Sequence, residues 1–300
     1  MPIAIEVKQD ALYLVEGKVK GDKLELKNAF NLPIAEEWLD SDGVRDIDML
    51  GILLSQAIKD NGFKSKDVIL TLNNSSVIYR ELYLPRIEAK RLALIVRSEM
   101  MEVLNLTPDY IMDFVVLDES VSDEGKPMVR VLAVASPSLA IRSYLELIKQ
   151  TKLRLKCIDT ATNSVLKFVE LTPELRSLEQ FILVDIGTSQ LRLYLFDEGK
   201  YVLTRNTRLT MIGQATDTDA VYFIEDHINK MIQYSYTRGN KSGIKKIVLA
   251  GNEEFMESLC SRVEEDLLVP CESLKKPDFV SMSNTFSPNS LNAIGALLRK

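Results

Sequence analysis

One short pattern occurs twice in this sequence, and the two copies lie about half a chain apart. The first runs from Ile3 to Leu14 and the second from Ile182 to Leu193, so that equivalent positions differ by 179 in number. In each copy an apolar segment ends at a carboxylate, and a leucine of an alternating segment follows six residues later. Both copies then continue through a glycine turn into a third segment that is typical of a strand. The repeat predicts an α/β fold with two structurally related halves, each beginning with the same three strands.

The carboxylate and the turn that follows it can form a phosphate site. A tight turn between two strands presents backbone N–H groups to an anion, glycine permits close approach, and hydroxyl groups add donors. The second copy supplies all of these in Asp185, Gly187, Thr188 and Ser189. Asp185 is also a candidate to hold a hydrated Mg²⁺ ion or to orient a water molecule. An ordinary hairpin has the same pattern, and this interpretation stays open.

The first copy is a degenerate version of the same turn. It reads Glu6-Val7-Lys8-Gln9-Asp10 and lacks both the glycine and the hydroxyls. Lys8 offers a positive charge to a phosphate, whereas Asp10 repels one. Two facing turns of this kind could clamp the phosphates of ATP, with Glu6 and Lys8 contributing from the first. The composition of the first turn predicts that such a clamp is weak or absent.

A third candidate element lies about 60 residues after the second turn. The apolar segment Ile247–Ala250 continues into Gly251 and Asn252, just before a predicted helix. Small residues at a strand end leave a flat surface for an adenosine, and the helix N-terminus adds backbone donors. We therefore take Ala250, Gly251 and Asn252 as candidate nucleotide contacts, although junctions of this kind are also common where no ligand binds.

The remaining periodicity predicts the other elements. Apolar residues at helical spacing predict helices over Asp46–Asp60, Arg86–Leu104, Leu139–Gln150, Thr160–Val169, Thr218–Arg238, Glu253–Glu265 and Asn289–Arg299. The turn pairs Asn61-Gly62 and Gly239-Asn240 are expected to end two of these helices. Further strands are predicted over Val68–Leu72, Val77–Leu84, Tyr110–Leu117, Met128–Ala135, Leu153–Ile158 and Tyr201–Arg205. Residues 33–44, 118–126 and 171–179 are predicted to be polar connections.

The composition excludes several classes of protein. The chain has 300 residues, a net charge of -6 and scattered basic residues, which argues against a nucleic-acid partner. No apolar run approaches the ~20 residues that cross a bilayer, and no signal peptide is evident, so we expect a soluble, cytosolic protein. One histidine, His227, and three cysteines without metal-ligand spacing argue against a histidine-based catalytic or metal site and favour reduced structural thiols.

Several segments together resemble the PilM family of type IV pilus assembly proteins, which are relatives of the cell-division protein FtsA. The segments that carry the resemblance are Val68–Asn73, Ser76–Pro85 with the predicted helix and strand after it, Val131–Ala135, Leu155–Asp159, Val184–Gly187, Leu249–Gly251 and Asn292–Leu297. The resemblance implies an actin-like ATPase fold, also described as a duplicated ribonuclease H-like fold, with an inserted subdomain. Its expected division is a first lobe at 1–74 and 154–175, the inserted subdomain at 75–153, and a second lobe at 176–300.

The resemblance also implies a function. Members of this family are adaptors on the cytoplasmic face of the plasma membrane that bind the cytosolic N-terminal tail of the membrane protein PilN. The tail is expected in a groove between the first lobe and the inserted subdomain, and the adaptor links the pilus machinery to its motor ATPase. Many members bind ATP with Mg²⁺, with little turnover, so nucleotide could modulate the adaptor. Association with the membrane is expected only through the partner.

The sequence departs from the family at the nucleotide motifs. The family normally has Asp-x-Gly-Ser-Ser where this chain has Glu6–Asp10, and Asn252 follows Gly251 where a second glycine is usual. Both departures predict weakened or abolished Mg-ATP binding. Two alternatives remain open at this point, namely an active Mg-ATPase that uses Asp185–Ser189 and a filament-forming protein similar to FtsA.

The last predicted helix also has two interpretations. Its apolar residues Leu291, Ile294, Leu297 and Leu298 could anchor it to a membrane, as in relatives of FtsA. We favour a helix packed within the fold, because its polar face carries no cluster of basic residues.

Overall fold

The computed structural model describes residues 1–40, 42–209, 217–237, 243–253, 256–282 and 286–299. The predicted turn Gly239-Asn240 lies outside the described residues. The chain divides into two compact units. The larger comprises Met1–Ile34, Gln56–Leu72 and Leu153–Lys300, and the smaller comprises Ala35–Ser55 and Asn73–Lys152.

Groups of one to five strands are separated by helices along the described residues. In chain order the strands are β1 (Ile3–Val7), β2 (Ala11–Lys20), β3 (Lys23–Pro33), β4 (Leu39–Asp40), β5 (Gly43–Val44), β6 (Asp67–Leu72), β7 (Ile78–Pro85), β8 (Tyr110–Val121), β9 (Pro127–Pro137), β10 (Arg154–Thr160), β11 (Gln180–Ile186), β12 (Gln190–Asp197), β13 (Lys200–Arg208), β14 (Lys246–Gly251), β15 (Cys271–Ser273) and β16 (Val280–Met282). The helices are α1 (Ile47–Asp60), α2 (Ala89–Val103), α3 (Ser138–Gln150), α4 (Ala161–Glu170), α5 (Pro173–Arg176), α6 (Asp217–Thr237), α7 (Met256–Leu267) and α8 (Leu291–Leu297). Single 3-10 turns lie at Glu36–Trp38 and Pro288–Ser290.

The larger unit contains two sheets with the same topology. One has the strand order β10-β6-β1-β2-β3-β16 and the other has the order β15-β14-β11-β12-β13. In both, three antiparallel strands are followed by a strand that pairs in parallel with the first. Glu6 lies opposite Tyr13, and Asp185 lies opposite Arg192, so the register keeps the offset of the sequence repeat. The predicted duplicated α/β architecture is therefore confirmed.

Helices cover these sheets and explain why their central strands are buried throughout. Every residue of β1 and of β11 is buried, as expected where a strand is covered on both faces. Helices α6 and α7 pack on the second sheet, where they share one apolar core with β11, β12 and β14. Helix α8 contacts α4, β1 and β2 and is buried along its whole length. The prediction of a packed C-terminal helix is confirmed by this burial.

Glycine permits the close approach of α8 to α4. A Cβ atom at Gly295 would come closer than 3.0 Å to the backbone oxygen of Ser164. The two helices therefore pack with almost no space between their backbones, and α8 is held tightly in the core of the larger unit.

Several short elements differ from the sequence prediction. Strands β4, β5, β15 and β16 are two or three residues long and were not predicted, because so short a segment cannot display a period of two. The connection predicted over 171–179 contains α5, and the turn after β8 is shorter than predicted because β8 extends to Val121. The last helix begins as a 3-10 turn at Pro288 and ends at Leu297, before the predicted Arg299.

The smaller unit is built on a three-stranded antiparallel sheet with the order β7-β9-β8. Helix α2 packs on it through Leu92, Val96 and Met100. Arg130 of β9 pairs with Asp118 and Glu81 of the two flanking strands, at 2.7 and 3.2 Å. The predicted division into lobes at 1–74, 154–175 and 176–300 with an insert at 75–153 stays a prediction.

None of the helices within the described ranges is both long enough and apolar enough to span a bilayer.

Two cysteines of the larger unit lie side by side. The Sγ atoms of Cys260 in α7 and Cys271 in β15 are 3.1 Å apart, and both are free thiols. The hydrogen bond between the two thiols lowers the pKa of Cys260, whereas the same hydrogen bond and burial raise the pKa of Cys271. We expect iodoacetamide near neutral pH to alkylate Cys260 roughly tenfold faster than Cys271, because the thiolate is the reactive form.

Peptide mass spectrometry over a time course measures both rates in one sample. In a Cys271→Ala chain the hydrogen bond is lost, and labelling of Cys260 should slow. Equal labelling of Cys260 and Cys271 in the wild-type chain would contradict the prediction.

Candidate functional site

The two repeated turns have the same backbone geometry. In the first, the N–H of Lys8 donates to the carbonyl oxygen of Ala11 at 3.0 Å. In the second, the N–H of Gly187 donates to the carbonyl oxygen of Gln190 at 2.8 Å. Since these N–H groups close the turns, they are not free to donate to a phosphate. The side-chain donors differ between the two turns, because their residues differ.

One side chain joins the carboxylates at the ends of the two equivalent strands. The Nδ2 atom of Asn292 donates to Glu6 Oε1 at 2.8 Å and to Asp185 Oδ2 at 3.0 Å. All three side chains are buried, with exposures of 0%, 3% and 0% for Glu6, Asp185 and Asn292. An amide nitrogen carries two hydrogens, so it can serve both acids at once. Asn292 therefore links the first sheet to the second through a buried hydrogen-bonded bridge.

Lys8 brings a positive charge to the same cluster. Its Nζ atom is 3.8 Å from Glu6 Oε1, 3.5 Å from the carbonyl oxygen of Asn289 and 4.6 Å from the ring centroid of Tyr13. Burial lowers the pKa of Lys8, but the carboxylates of Glu6 and Asp185 more than offset it, so that pKa lies above its usual value. Burial also raises the pKa of Tyr13 to about 12, with Lys8 opposing the rise. The cluster thus contains a stable ammonium group beside two acids.

A cavity of about 100 Å³ opens beside this cluster. Its walls are formed by Lys8, Asp10, Tyr13, Ile186, Gly187, Thr188, Asn252 and Asn289. The Oδ1 atom of Asp10 is buried and has no hydrogen-bond partner among the described residues. A negative group on this wall disfavours an anionic ligand.

The strand end at Gly251 packs directly against the second turn. Gly251 has a φ angle of +95°, and a Cβ atom there would come closer than 3.0 Å to the carbonyl oxygen of Ile186. The same oxygen accepts a hydrogen bond from the N–H of Asn252 at 2.7 Å. Glycine is therefore required at this position by the backbone itself, whether or not a ligand binds.

The structure brings together most of the candidate residues. Glu6, Lys8 and Asp185 form the buried cluster, and Gly187, Thr188 and Asn252 lie on the cavity wall together with Lys8. Ser189 is not among the described wall residues, and its carbonyl oxygen accepts a hydrogen bond from Leu209. Ala250 is a buried residue of β14 opposite Asp185.

Sequence reasoning missed Asn292, which makes the bridge. Its signal was present but weak, because it is a polar residue flanked by Leu291, Ala293 and Ile294 in an otherwise apolar helix. A buried polar side chain needs partners, and here those partners are nearly 290 and just over 100 residues away in the sequence.

The residues present do not fit the Mg-ATP that the resemblance implies. Lys8 stands at the position equivalent to Gly187, and its side chain enters the space between the two turns. Asp10 adds a negative charge to the same cavity wall. No group of three or more His, Cys, Asp or Glu residues within the described ranges is arranged to hold a metal ion.

The sequence matches the family model described as type IV pilus assembly protein PilM over residues 4–219. The chain belongs to the PilM family. No curated protein matches the sequence. The family assignment confirms the resemblance drawn from the sequence motifs.

Solved structures give the fold. A chain of the "PilM-PilN type IV pilus biogenesis complex" superposes with a TM-score of 0.83 at 18% identity, over 99% of this chain and 97% of that one. The cytoplasmic domain of EpsL from the type II secretion system of Vibrio cholerae matches with a TM-score of 0.53 at 10% identity, over 99% and 95%. The ethanolamine utilization protein EutJ from Carboxydothermus hydrogenoformans matches with a TM-score of 0.53 at 8% identity, over 99% and 89%. The fold is the actin-like ATPase fold, as predicted.

Proposed function

We propose that this chain is a cytoplasmic adaptor of a type IV pilus assembly machine that binds the cytosolic N-terminal tail of a PilN-like membrane protein. The observation that carries the proposal is the family match over residues 4–219, together with near-complete coverage of a chain from a PilM-PilN complex. Membership of the family supports a role in pilus assembly. Binding of the PilN tail is the finer part of the proposal.

The geometry of the buried cluster supports an adaptor more than an enzyme. The carboxylates of Glu6 and Asp185 both accept hydrogen bonds from Asn292, and Lys8 lies beside Glu6. A general base must be able to reach a substrate or a water molecule. Carboxylates that are buried and occupied by protein donors are poorly placed for that role, so a scaffold is favoured over an active Mg-ATPase.

The location of the adaptor follows from its partner. If the PilN-like protein spans the plasma membrane, its cytosolic tail places the adaptor at the cytoplasmic face, where it can also contact the motor ATPase. The described helices offer no span of their own. Modulation of the adaptor by a nucleotide has less support, because the first turn carries Lys8 and Asp10 in place of glycine and hydroxyls.

Calorimetric titration tests the adaptor function. The full chain is titrated with a synthetic peptide of the N-terminal tail of the PilN-like protein encoded in the same genome, and with a scrambled peptide of equal composition. We expect saturable binding of the native peptide with a Kd of about 1–10 μM, and none of the scrambled one. The proposal fails if the native peptide gives no binding heat at several temperatures, since a change of heat capacity on burial makes an accidental zero temperature-dependent.

A further inference from the structure

We infer that the Lys8 ammonium is a built-in cation that supplies, between the two turns, the positive charge that a Mg²⁺ ion would bring with a nucleotide. On this reading the chain holds its two turns together without a nucleotide. The inference goes beyond the proposed adaptor function, and its test requires no tail peptide.

Lys8 occupies the position in the first turn that a glycine occupies in the second. Lys8 and Gly187 are equivalent in the repeat, and their N–H groups make the same turn-closing hydrogen bond. Gly187 places no side chain in the cavity that it lines, whereas Lys8 adds a four-carbon side chain to the wall of the same cavity. The backbone of the phosphate-binding turn is thus retained while the first turn's ligand space holds a protein side chain.

The groups that surround the Lys8 ammonium belong to the protein itself. The ammonium group is engaged by Glu6, the carbonyl oxygen of Asn289 and the ring of Tyr13, and its side chain is 8% exposed. These contacts are oxygens and a ring face of the protein, which are the kinds of group that bind a cation. The Lys8 ammonium is therefore directed at groups of the protein itself.

The positive charge of Lys8 offsets the charges of the two buried carboxylates. Glu6 and Asp185 are buried carboxylates that accept hydrogen bonds from the same amide nitrogen, and two such groups repel each other unless a cation is near. Lys8 supplies that cation permanently, because it is covalently attached. A Mg²⁺ ion entering the same cluster would meet the ammonium group at short range in a medium of low dielectric constant and would be repelled.

The wall of the cavity also contains an acidic residue. Asp10 lines the cavity that the phosphates would have to enter, and its Oδ1 atom is buried without a described partner. The first turn therefore accommodates its own cation and disfavours an outside anion. Both substitutions act in the same direction, against Mg-ATP.

Two titrations of the full-length chain test the inference. First, wild-type protein is titrated with Mg-ATP by calorimetry, and we expect no saturation up to about 1 mM. Second, the Tm of Lys8→Met is measured with and without about 10 mM MgCl₂. We expect Mg²⁺ to raise this Tm by several degrees while leaving the wild-type Tm unchanged, because the metal ion supplies the missing charge.

Lys18→Met is the matched control, since Lys18 is an exposed residue of β2 and its loss should create no response to Mg²⁺. Micromolar binding of Mg-ATP to the wild-type chain would overturn the inference, as would a Lys8→Met chain whose Tm ignores Mg²⁺. If Lys8→Met does not fold without Mg²⁺, refolding in about 10 mM MgCl₂ decides the question. Recovery of folded protein supports the inference, whereas a chain that stays unfolded with the metal overturns it.

Discussion

Substitution of Gly251 by alanine should destabilise the chain by roughly 3–5 kcal/mol. The new Cβ atom would overlap the carbonyl oxygen of Ile186, which is backbone and cannot move aside as a flexible side chain can. The φ angle of +95° adds conformational strain, since residues with a Cβ atom rarely adopt it. Urea denaturation followed by circular dichroism measures the loss as a lower midpoint.

Gly62→Ala is the matched control for this change. Gly62 has a φ angle of +69°, but a Cβ atom there would have no neighbour within 4 Å. It should lose only about 1 kcal/mol, which isolates the cost of the backbone conformation from the cost of overlap. Equal losses of unfolding free energy in the two variants would mean that overlap with Ile186 contributes nothing. The tight packing of β14 against the second turn would then be contradicted.

The fold was predictable from the sequence because it depends on a repeated local pattern. Apolar strands that end at Glu6 and Asp185, followed by alternating strands, encode each group of three strands within about 30 consecutive residues. Burial of these strands on both faces requires covering helices, and the helical spacing of apolar residues predicted such helices. The same information could not show that β16 joins the far edge of the first sheet, since three residues have no period and their partner β3 lies about 250 residues earlier.

The candidate site was predictable only in part, for a related physical reason. The turn residues were identified because each turn is local, and the structure does bring Lys8, Gly187 and Thr188 to one cavity. What Lys8 does there depends on Asn289 and Asn292, which come from the other end of the chain. A sequence motif specifies which groups a turn can offer, whereas distant residues decide whether those groups face a ligand or each other.

Replacement of Asn292 by alanine should cost about 2–4 kcal/mol of unfolding free energy. The change removes the only side chain seen among the described residues to donate to both Glu6 and Asp185, and it leaves two buried carboxylates without that donor. Burial of a charged group without its hydrogen bond is far more costly than the loss of one bond between neutral groups. Equilibrium unfolding in urea at neutral pH is the appropriate measurement.

Asn289→Ala separates this effect from a general loss of asparagine near the site. Asn289 touches Lys8 through its backbone oxygen, which alanine retains, so its replacement should cost less than about 1 kcal/mol. A double-mutant cycle then assigns the cause. Asp185→Asn removes one of the two charges, so it should be less harmful in the Asn292→Ala chain than in the wild-type chain, with a coupling of at least about 1 kcal/mol. Additive effects would mean that Asn292 stabilises the protein by packing alone, and the bridge between the two strand ends would then carry no energy of its own.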